Sequence, residues 1–226
     1  MKKLLPFIFF LIIAPHLMGQ YKPVLFGMRA GANIGWIKPD VEDYKGEGVK
    51  FGFTWGFIGE FFLMENYAIL TGFNMNFIGG KMEYPANIDG IPVTGQLHRQ
   101  YDLKYIQVPL CLKMQTALSD KVTIFGKIGL GTSFNFSAKA TDKFLDHGSE
   151  VTIKKRNIED DIALMRESLI IGGGIEMKIK GSTAVIIDIT YDNAFINLLH
   201  GDGTHLPDTE PKAILNFVEV GAGIVF

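Results

Sequence analysis

Residues 217–226 read FVEVGAGIVF, and their side chains alternate strictly in character. One side of an extended chain would carry the apolar residues Val218, Val220, Ala222, Ile224 and Phe226. The other side would carry Glu219, two glycines and one valine. A repeat of two residues is the pattern of a β-strand, because successive side chains of a strand point to opposite faces of its sheet. The segment therefore predicts a strand with one apolar face and one face of mostly small or charged residues.

Seven further segments show the same two-residue period. They are residues 25–36, 51–61, 67–77, 103–115, 122–136, 163–177 and 183–193, and the last strand begins near residue 213. Short connections alternate with long ones that are rich in polar residues, glycine and proline. The long connections are residues 37–50, 78–102, 137–162 and 194–212. This arrangement predicts eight antiparallel strands in an up-and-down barrel, with short turns at one end and long loops at the other.

The apolar faces of these strands are predicted to point outward. They hold most of the phenylalanines, and an eight-stranded barrel encloses room only for modest side chains or one small ligand. The segments are about 10–14 residues long, which suits strands that cross a bilayer at a tilt better than it suits typical soluble strands. Aromatic residues such as Trp36 and Tyr67 lie near the ends of the segments, like the girdles of transmembrane barrels. We therefore predict an all-β fold, an eight-stranded antiparallel up-and-down transmembrane β-barrel.

The inward faces are predicted to carry equal numbers of acidic and basic side chains. These residues are Arg29, Glu60, Lys113, Lys127, Arg166, Glu176, Asp188 and Glu219. Unpaired charges in so confined a space would be costly, whereas paired and hydrogen-bonded charges are tolerated. The pattern therefore predicts a structural network of ion pairs that fills the lumen. A conducting or proton-relaying lumen is the functional alternative.

The composition limits the class of protein and its partners. The chain has 226 residues, a formal net charge of −2 and 26 glycines. A charge so close to zero provides no strong field to attract nucleic acid. The chain contains one cysteine, Cys111, which excludes an intramolecular disulfide and a thiolate metal cluster. Cys111 is predicted to face the lumen as an inert small residue.

The first residues differ in character from the rest of the chain. They read MKK, then LLPFIFFLIIAP, then a small residue at Gly19. A basic start, a short apolar run and a small residue are the pattern of a secretory signal peptide. We therefore predict a signal peptide over residues 1–19 and a single barrel domain over residues 20–226. An uncleaved anchor is the alternative for the N-terminal segment.

Several segments resemble a known family. They are LKYIQVPLCLK (residues 103–113), IFGKIGLGTSF (124–134), LIIGGGIEM (169–177), AVIIDITYDNAFINL (184–198) and the final GAGIVF. Together they resemble the PorT-type outer membrane β-barrel proteins of Bacteroidetes-like bacteria. The resemblance implies a small barrel in the outer membrane of a Gram-negative, Bacteroidetes-like bacterium. It implies no catalytic motif, although the founding member is associated with a secretion apparatus. It also implies that the barrel assembly machinery recognises the terminal strand, with Phe226 as the assembly signal.

The long connections hold the remaining candidates for chemistry. Residues 201–208 read GDGTHLPD and offer Asp202, His205 and Asp208, but their spacing matches no known metal-binding loop. His98, Arg99 and His147 are isolated in the sequence. Residues 137–162 mix lysines and Arg156 with acidic residues, which indicates a solvated loop or a docking site for lipopolysaccharide phosphates or a partner protein. The sequence thus predicts no catalytic residue, no cofactor and no metal site.

Three functions are compatible with these patterns. The first is a non-enzymatic outer-membrane barrel, structural or an interaction platform, with a role accessory to protein export. Its expected partners are outer-membrane lipid, the barrel assembly machinery and other envelope proteins that contact the long loops. The second is an outer-membrane barrel enzyme that acts on lipid or peptide at the outer leaflet. The third is a secreted, soluble, lipocalin-like binding barrel.

Overall fold

The computed structural model describes residues 24–85, 87–88, 91–92, 94–146, 149–200 and 212–226. The predicted signal peptide lies outside the described residues, and so do His147 and the segment with Asp202, His205 and Asp208. Among the described residues, no helix is long and apolar enough to cross a membrane.

The described chain is almost entirely β-strand. In chain order the strands are β1 (Val24–Pro39), β2 (Lys45–Met64), β3 (Tyr67–Tyr84), β4 (Asn87–Ile88), β5 (Ile91–Pro92), β6 (Thr94–Ala117), β7 (Val122–Asp146), β8 (Ser149–Asn157), β9 (Met165–Lys180), β10 (Thr183–Ala194) and β11 (Ala213–Val225). A short 3-10 helix, Glu159–Asp161, lies between β8 and β9. Strands β4 and β5 form a small separate hairpin, and β8 pairs with β7.

The other eight strands close into a ring. Their order is β6–β3–β2–β1–β11–β10–β9–β7, every neighbouring pair is antiparallel, and β6 also pairs with β7. The first and last strands pair from Gly27 opposite Val225 to Pro39 opposite Ala213. Closure gives the backbone groups of each strand partners on both sides, which is required where no water is present. The predicted eight-stranded antiparallel up-and-down barrel is therefore confirmed.

A band of exposed apolar side chains surrounds the ring. Phe51 is 76% exposed and Leu110 is 60% exposed. Most other outward positions between the aromatic ends of the strands also hold exposed apolar side chains. Covering one such side chain is worth about 1.5–3 kcal/mol, so a band of this size requires a lipid environment. At the long-loop end Trp36 stacks on Tyr191, with ring centroids 6.1 Å apart. A soluble binding barrel would enclose these side chains, whereas this barrel turns them outward. We call this band the lipid belt.

Several strands continue beyond the lipid belt, and here the prediction of long polar loops was wrong. Most of the predicted third loop is an ordered hairpin of β7 and β8. Along this part of β7, Lys139 and Lys143 are exposed, while Ala138, Ala140 and Asp142 are fully buried. The two-residue period thus persists, but its polarity is inverted, because this part of the strand has water outside and a core inside. A search for outward apolar faces could not detect it.

The inverted pattern produces a second core inside the upper end of the barrel. Its buried members include Tyr44, Ile78, Met82, Tyr84, Leu97, Tyr101, Leu103, Tyr105, Leu215 and Phe217. Leu198 and Leu199, in the connection after β10, pack against the same cluster. We call this cluster the upper core. This core has no counterpart among the features predicted from the sequence, and it fills the long-loop end of the barrel with mostly apolar side chains.

Candidate functional site

All eight predicted lumen residues lie inside the barrel. Their side chains are at most 10% exposed, and each of them forms an ion pair with another charged side chain of the interior. The inward face of the strands holds glycines beside them, so long charged side chains fit into a narrow bore. We call this set, together with Asp192, the lumen layer. It divides into three groups of contacts.

The first group is centred on Lys113, near the short-turn end. The Lys113 ammonium donates to Glu60 at 2.7 Å and contacts the Glu176 carboxylate as well. Its nitrogen also lies 4.8 Å from the centre of the Phe125 ring. Neither Lys113 nor Glu60 is exposed to solvent. The ammonium group of Lys113 therefore forms ion pairs with two carboxylates at a position that solvent does not reach.

The second group joins four strands around Asp188. Arg29 lies 3.2 Å from Asp188 and 2.5 Å from Glu219, and Lys127 donates to Asp188 at 2.6 Å. The Thr190 hydroxyl donates to the same carboxylate at 2.9 Å. Asp188 thus accepts bonds from two basic side chains and one hydroxyl, which satisfies a buried carboxylate.

The third group contains Asp192, which was missing from the predicted set. Arg166 donates to Asp192 at 2.5 Å and to the backbone oxygen of Leu215 at 2.8 Å. The Gln107 amide donates to the other oxygen of Asp192 at 2.8 Å. The two-residue period from Asp188 through Thr190 points to Asp192, so the sequence contained the signal. The lumen layer therefore has five carboxylates and four basic groups, and the predicted equality of charges was wrong.

The cavity among the lumen charges is small. A cavity of about 40 Å³ lies among the charged residues, with Cys111 in its lining. This volume holds a few water molecules at most and is far below the roughly 300–1,000 Å³ of small-molecule sites. A methyl group added at Gly221 would lie 2.7 Å from both Arg29 and Asp188, which shows how closely the ion pairs pack against the barrel wall.

Another ion pair is embedded in the upper core. Arg99 donates two bonds to Asp142, at 2.6 and 2.7 Å, and both side chains are almost completely buried. The guanidinium also lies 6.0 Å from the ring centres of Tyr84 and Tyr101. Burial by itself lowers the pKa of Arg99, but Tyr84 and Asp142 outweigh burial, and the pKa rises above its ordinary value. Arg99 therefore stays charged and ties β6 to β7 above the lipid belt.

His98, the neighbour of Arg99, points the other way, into a cleft on the outer rim. Its Nδ1 atom lies 2.8 Å from Glu47 and 3.7 Å from Glu83. The expectation that His98 and Arg99 are isolated is wrong for both. Glu83 lies directly opposite His98 in the pairing of β3 with β6, but Glu47 reaches it through an irregularity in β2 that no sequence period reveals.

The same cleft limits what chemistry the rim can perform. Among the described residues, its lining is Glu47, Lys81, His98, Arg99, Gln100, Thr141 and Lys143. This lining includes one histidine, one carboxylate, two ammonium groups and a guanidinium, but neither serine nor cysteine. It can hold a cation, or position a water beside His98, and it offers no activated thiol or serine nucleophile.

Comparison with known proteins agrees with the architecture. The sequence model of a family described as "Outer membrane protein beta-barrel domain" matches residues 17–200. No curated protein sequence matches the chain significantly.

Similar folds occur among solved structures. The outer membrane protein OprG from Pseudomonas aeruginosa is 11% identical, with a TM-score of 0.50, and the match covers 91% of this chain and 97% of OprG. Neisserial surface protein A is 10% identical, with a TM-score of 0.46 over 88% of this chain and 95% of that protein. The outer membrane protease OmpT from Escherichia coli is 8% identical, with a TM-score of 0.45 over 93% and 99% of the two chains. At these identities the likeness concerns the fold alone.

Proposed function

Because the chain belongs to the outer membrane protein beta-barrel domain family and lies in the outer membrane of a Gram-negative bacterium, we propose that it serves there as a non-conducting, non-enzymatic interaction platform. The observation that carries this proposal is the doubly closed interior. The lumen layer fills the bore within the lipid belt, and the upper core fills it above the belt.

The closed interior argues against transport through the barrel. An ion passing along the axis would have to displace bonds such as those of Arg29 to Asp188 and of Lys113 to Glu60, and then cross an apolar cluster. Both steps are unfavourable, because breaking a buried pair leaves an uncompensated charge and the mostly apolar side chains of the upper core solvate an ion poorly. The barrel is therefore suited to act as a rigid support for the surface that it presents above the lipid belt.

The displayed part is the extension of β3, β6 and β7 with the hairpin of β7 and β8. The upper core stabilises this extension from within, so it presents a firm surface above the lipid belt. Among the described residues, β8 has a neighbouring strand, β7, on one of its sides only. Its other side is a sheet edge to which an extended segment of another chain can pair. Envelope proteins are the proposed partners of this surface, and outer-membrane lipid surrounds the belt.

The resemblance to PorT-type proteins extends the proposal further. It supports a Bacteroidetes-like source, a role accessory to protein export and insertion by the barrel assembly machinery. These inferences rest on the segments of sequence quoted above. Identifying the proteins that contact the extension would test them.

Two measurements test the platform proposal. Purified protein in planar bilayers should give no stepwise conductance, and crosslinking in whole cells should capture an envelope protein through the β7–β8 hairpin. A variant with residues 144–153 replaced by a short turn should keep heat-modifiable mobility, which reports a folded barrel, but lose the crosslinked partner. Regular channel openings, or a crosslinking pattern that the shortened hairpin leaves unchanged, would contradict the proposal.

The pairing of His98 with Glu47 favours one alternative, a rim enzyme that acts on lipid or peptide at the outer leaflet. In this alternative His98 would act as a general base, oriented by the carboxylate. Hydrolysis of outer-leaflet lipids or of a peptide library by the purified protein, abolished by His98→Ala, would replace the platform proposal with this one.

A further inference from the structure

We propose that Glu47, Glu83 and His98 form a binding site for a divalent transition-metal ion of the Zn²⁺ type on the outer rim of the barrel. The site lies beyond the lipid belt, on the outward face of β2, β3 and β6. It is independent of the platform function proposed above.

The three side chains converge as metal ligands do. His98 Nδ1 lies 2.8 Å from Glu47 Oε1 and 3.7 Å from Glu83 Oε2. One ligand atom from each residue lies within 4.8 Å of the other two. Tetrahedral Zn²⁺ has bonds of about 2.0–2.1 Å, so its ligand atoms are roughly 3.3 Å apart. The two distances from His98 bracket this value, and small side-chain rotations would complete the geometry.

The backbone of β2 is irregular at the point that delivers Glu47. Lys45 pairs with Glu83, Gly46 with Met82 and Gly48 with Lys81, so Glu47 has no opposite residue on β3. Gly48 has a φ of 140°, a conformation that other residues rarely adopt. A bulge re-aims a side chain, and bulges concentrate at barrel rims and beside functional sites. Here the bulge turns the Glu47 carboxylate toward His98.

The charges of the cluster also favour a cation. Two carboxylates are held around one imidazole, and like charges at this separation repel. Lys45 approaches Glu83 only to 3.8 Å. Lys81 and Lys143 line the same cleft and reduce its attraction for a cation, so we expect moderate rather than tight binding.

The ligand types select the class of metal. One imidazole nitrogen with two carboxylate oxygens suits Zn²⁺ and related transition metals, whereas Ca²⁺ prefers oxygen ligands alone. Three protein ligands leave a coordination position for water. The side chains of His98 and Glu47 are 45% and 37% exposed, so an ion in the external medium can reach them.

Titration of the full-length protein in detergent with Zn²⁺ and Co²⁺ tests the proposal. We expect a single site with a Kd below about 100 µM for Zn²⁺, and visible Co²⁺ absorption typical of a coordination number below six. His98→Ala and Glu83→Gln should each weaken binding at least about tenfold, in line with the loss of a ligand. Gly48→Val, which leaves all three ligands in place but strains the bulge, should also weaken it.

His200→Ala is the matched control, because His200 is an exposed histidine in another connection. It should leave the affinity unchanged, and heat-modifiable mobility should show that every variant is folded. Two results would overturn the proposal. One is the absence of Zn²⁺ binding up to about 1 mM, and the other is equal affinity in His98→Ala and the unaltered protein.

Discussion

Replacing Lys113 with methionine should destabilise the barrel by several kilocalories per mole. Methionine keeps most of the length and apolar character of the lysine side chain but removes its charge. Glu60 and Glu176 would then remain in the interior without the ammonium group that contacts both. The change therefore isolates the electrostatic part of the lumen layer from its packing.

The contact distance sets the scale of this effect. Two unit charges 2.7 Å apart attract by about 6 kcal/mol at an effective dielectric constant of about 20. Rearrangement and entry of water reduce the loss, and breaking a buried pair typically costs about 3–5 kcal/mol. A variant that also carries Glu60→Gln and Glu176→Gln no longer has the uncompensated carboxylates. We expect it to recover most of the loss, to within about 2 kcal/mol of the unaltered protein.

Equilibrium unfolding in urea, with the protein in lipid vesicles or detergent, measures these differences through the fluorescence of Trp36 and Trp55. Lys139→Met is the control, because Lys139 is exposed on the outer face of β7, and it should shift stability by no more than about 0.5 kcal/mol. A loss below about 1 kcal/mol for Lys113→Met would refute the reasoning. So would a triple variant that is no more stable than the single one.

Three further predictions concern other parts of the molecule. Gly221→Ala should lower the free energy of unfolding by about 1–3 kcal/mol, because the added methyl group would lie 2.7 Å from Arg29 and Asp188. Gly126→Ala, whose methyl group would meet nothing closer than 3.9 Å, should be nearly neutral, and equal losses in urea unfolding would contradict the steric argument. Phe226→Ala should reduce assembly into the outer membrane of cells several-fold, because we propose that the assembly machinery recognises the terminal strand. Refolding of this variant in detergent should be unchanged. Unchanged assembly in cells would contradict the proposed role of Phe226. Burial raises the pKa of Asp161, so its ionised form opposes folding at neutral pH, and Asp161→Asn should be more stable than the unaltered protein near pH 8. This advantage should shrink as the pH falls through the raised pKa and the aspartate becomes neutral in the folded state, and an advantage independent of pH would count against it.

The sequence predicts the two halves of the barrel unequally well. Within the lipid belt, alternation placed Arg29, Lys113 and the other predicted charges on the inward face, where the structure has them. Above the belt the same period runs with inverted polarity, so Tyr101 and Ala140 were assigned to polar loops although they lie in the upper core. The period is a local property of the chain, whereas its polarity depends on whether lipid or water lies outside.

Partners across the barrel were harder to predict than faces. Arg29 and Asp188 are 159 residues apart in the chain, and Lys113 and Glu60 are 53 apart. Which inward side chains meet depends on strand tilt and stagger, and alternation specifies neither. Glu47 shows the same limit at the rim, because a one-residue bulge moves its carboxylate toward His98 and leaves no periodic signal.

The sequence by itself determined the number of strands in the ring, their antiparallel order and the outward direction of the apolar faces. These features follow from side-chain alternation and from connection length, which are readable residue by residue. Only the tertiary structure decided the contacts of the lumen layer, the upper core that closes the long-loop end, and the convergence of Glu47, Glu83 and His98. The lumen contacts and the upper core depend on the tilt and stagger of strands that are distant in sequence, whereas the rim cluster depends on the bulge in β2; side-chain alternation specifies none of these.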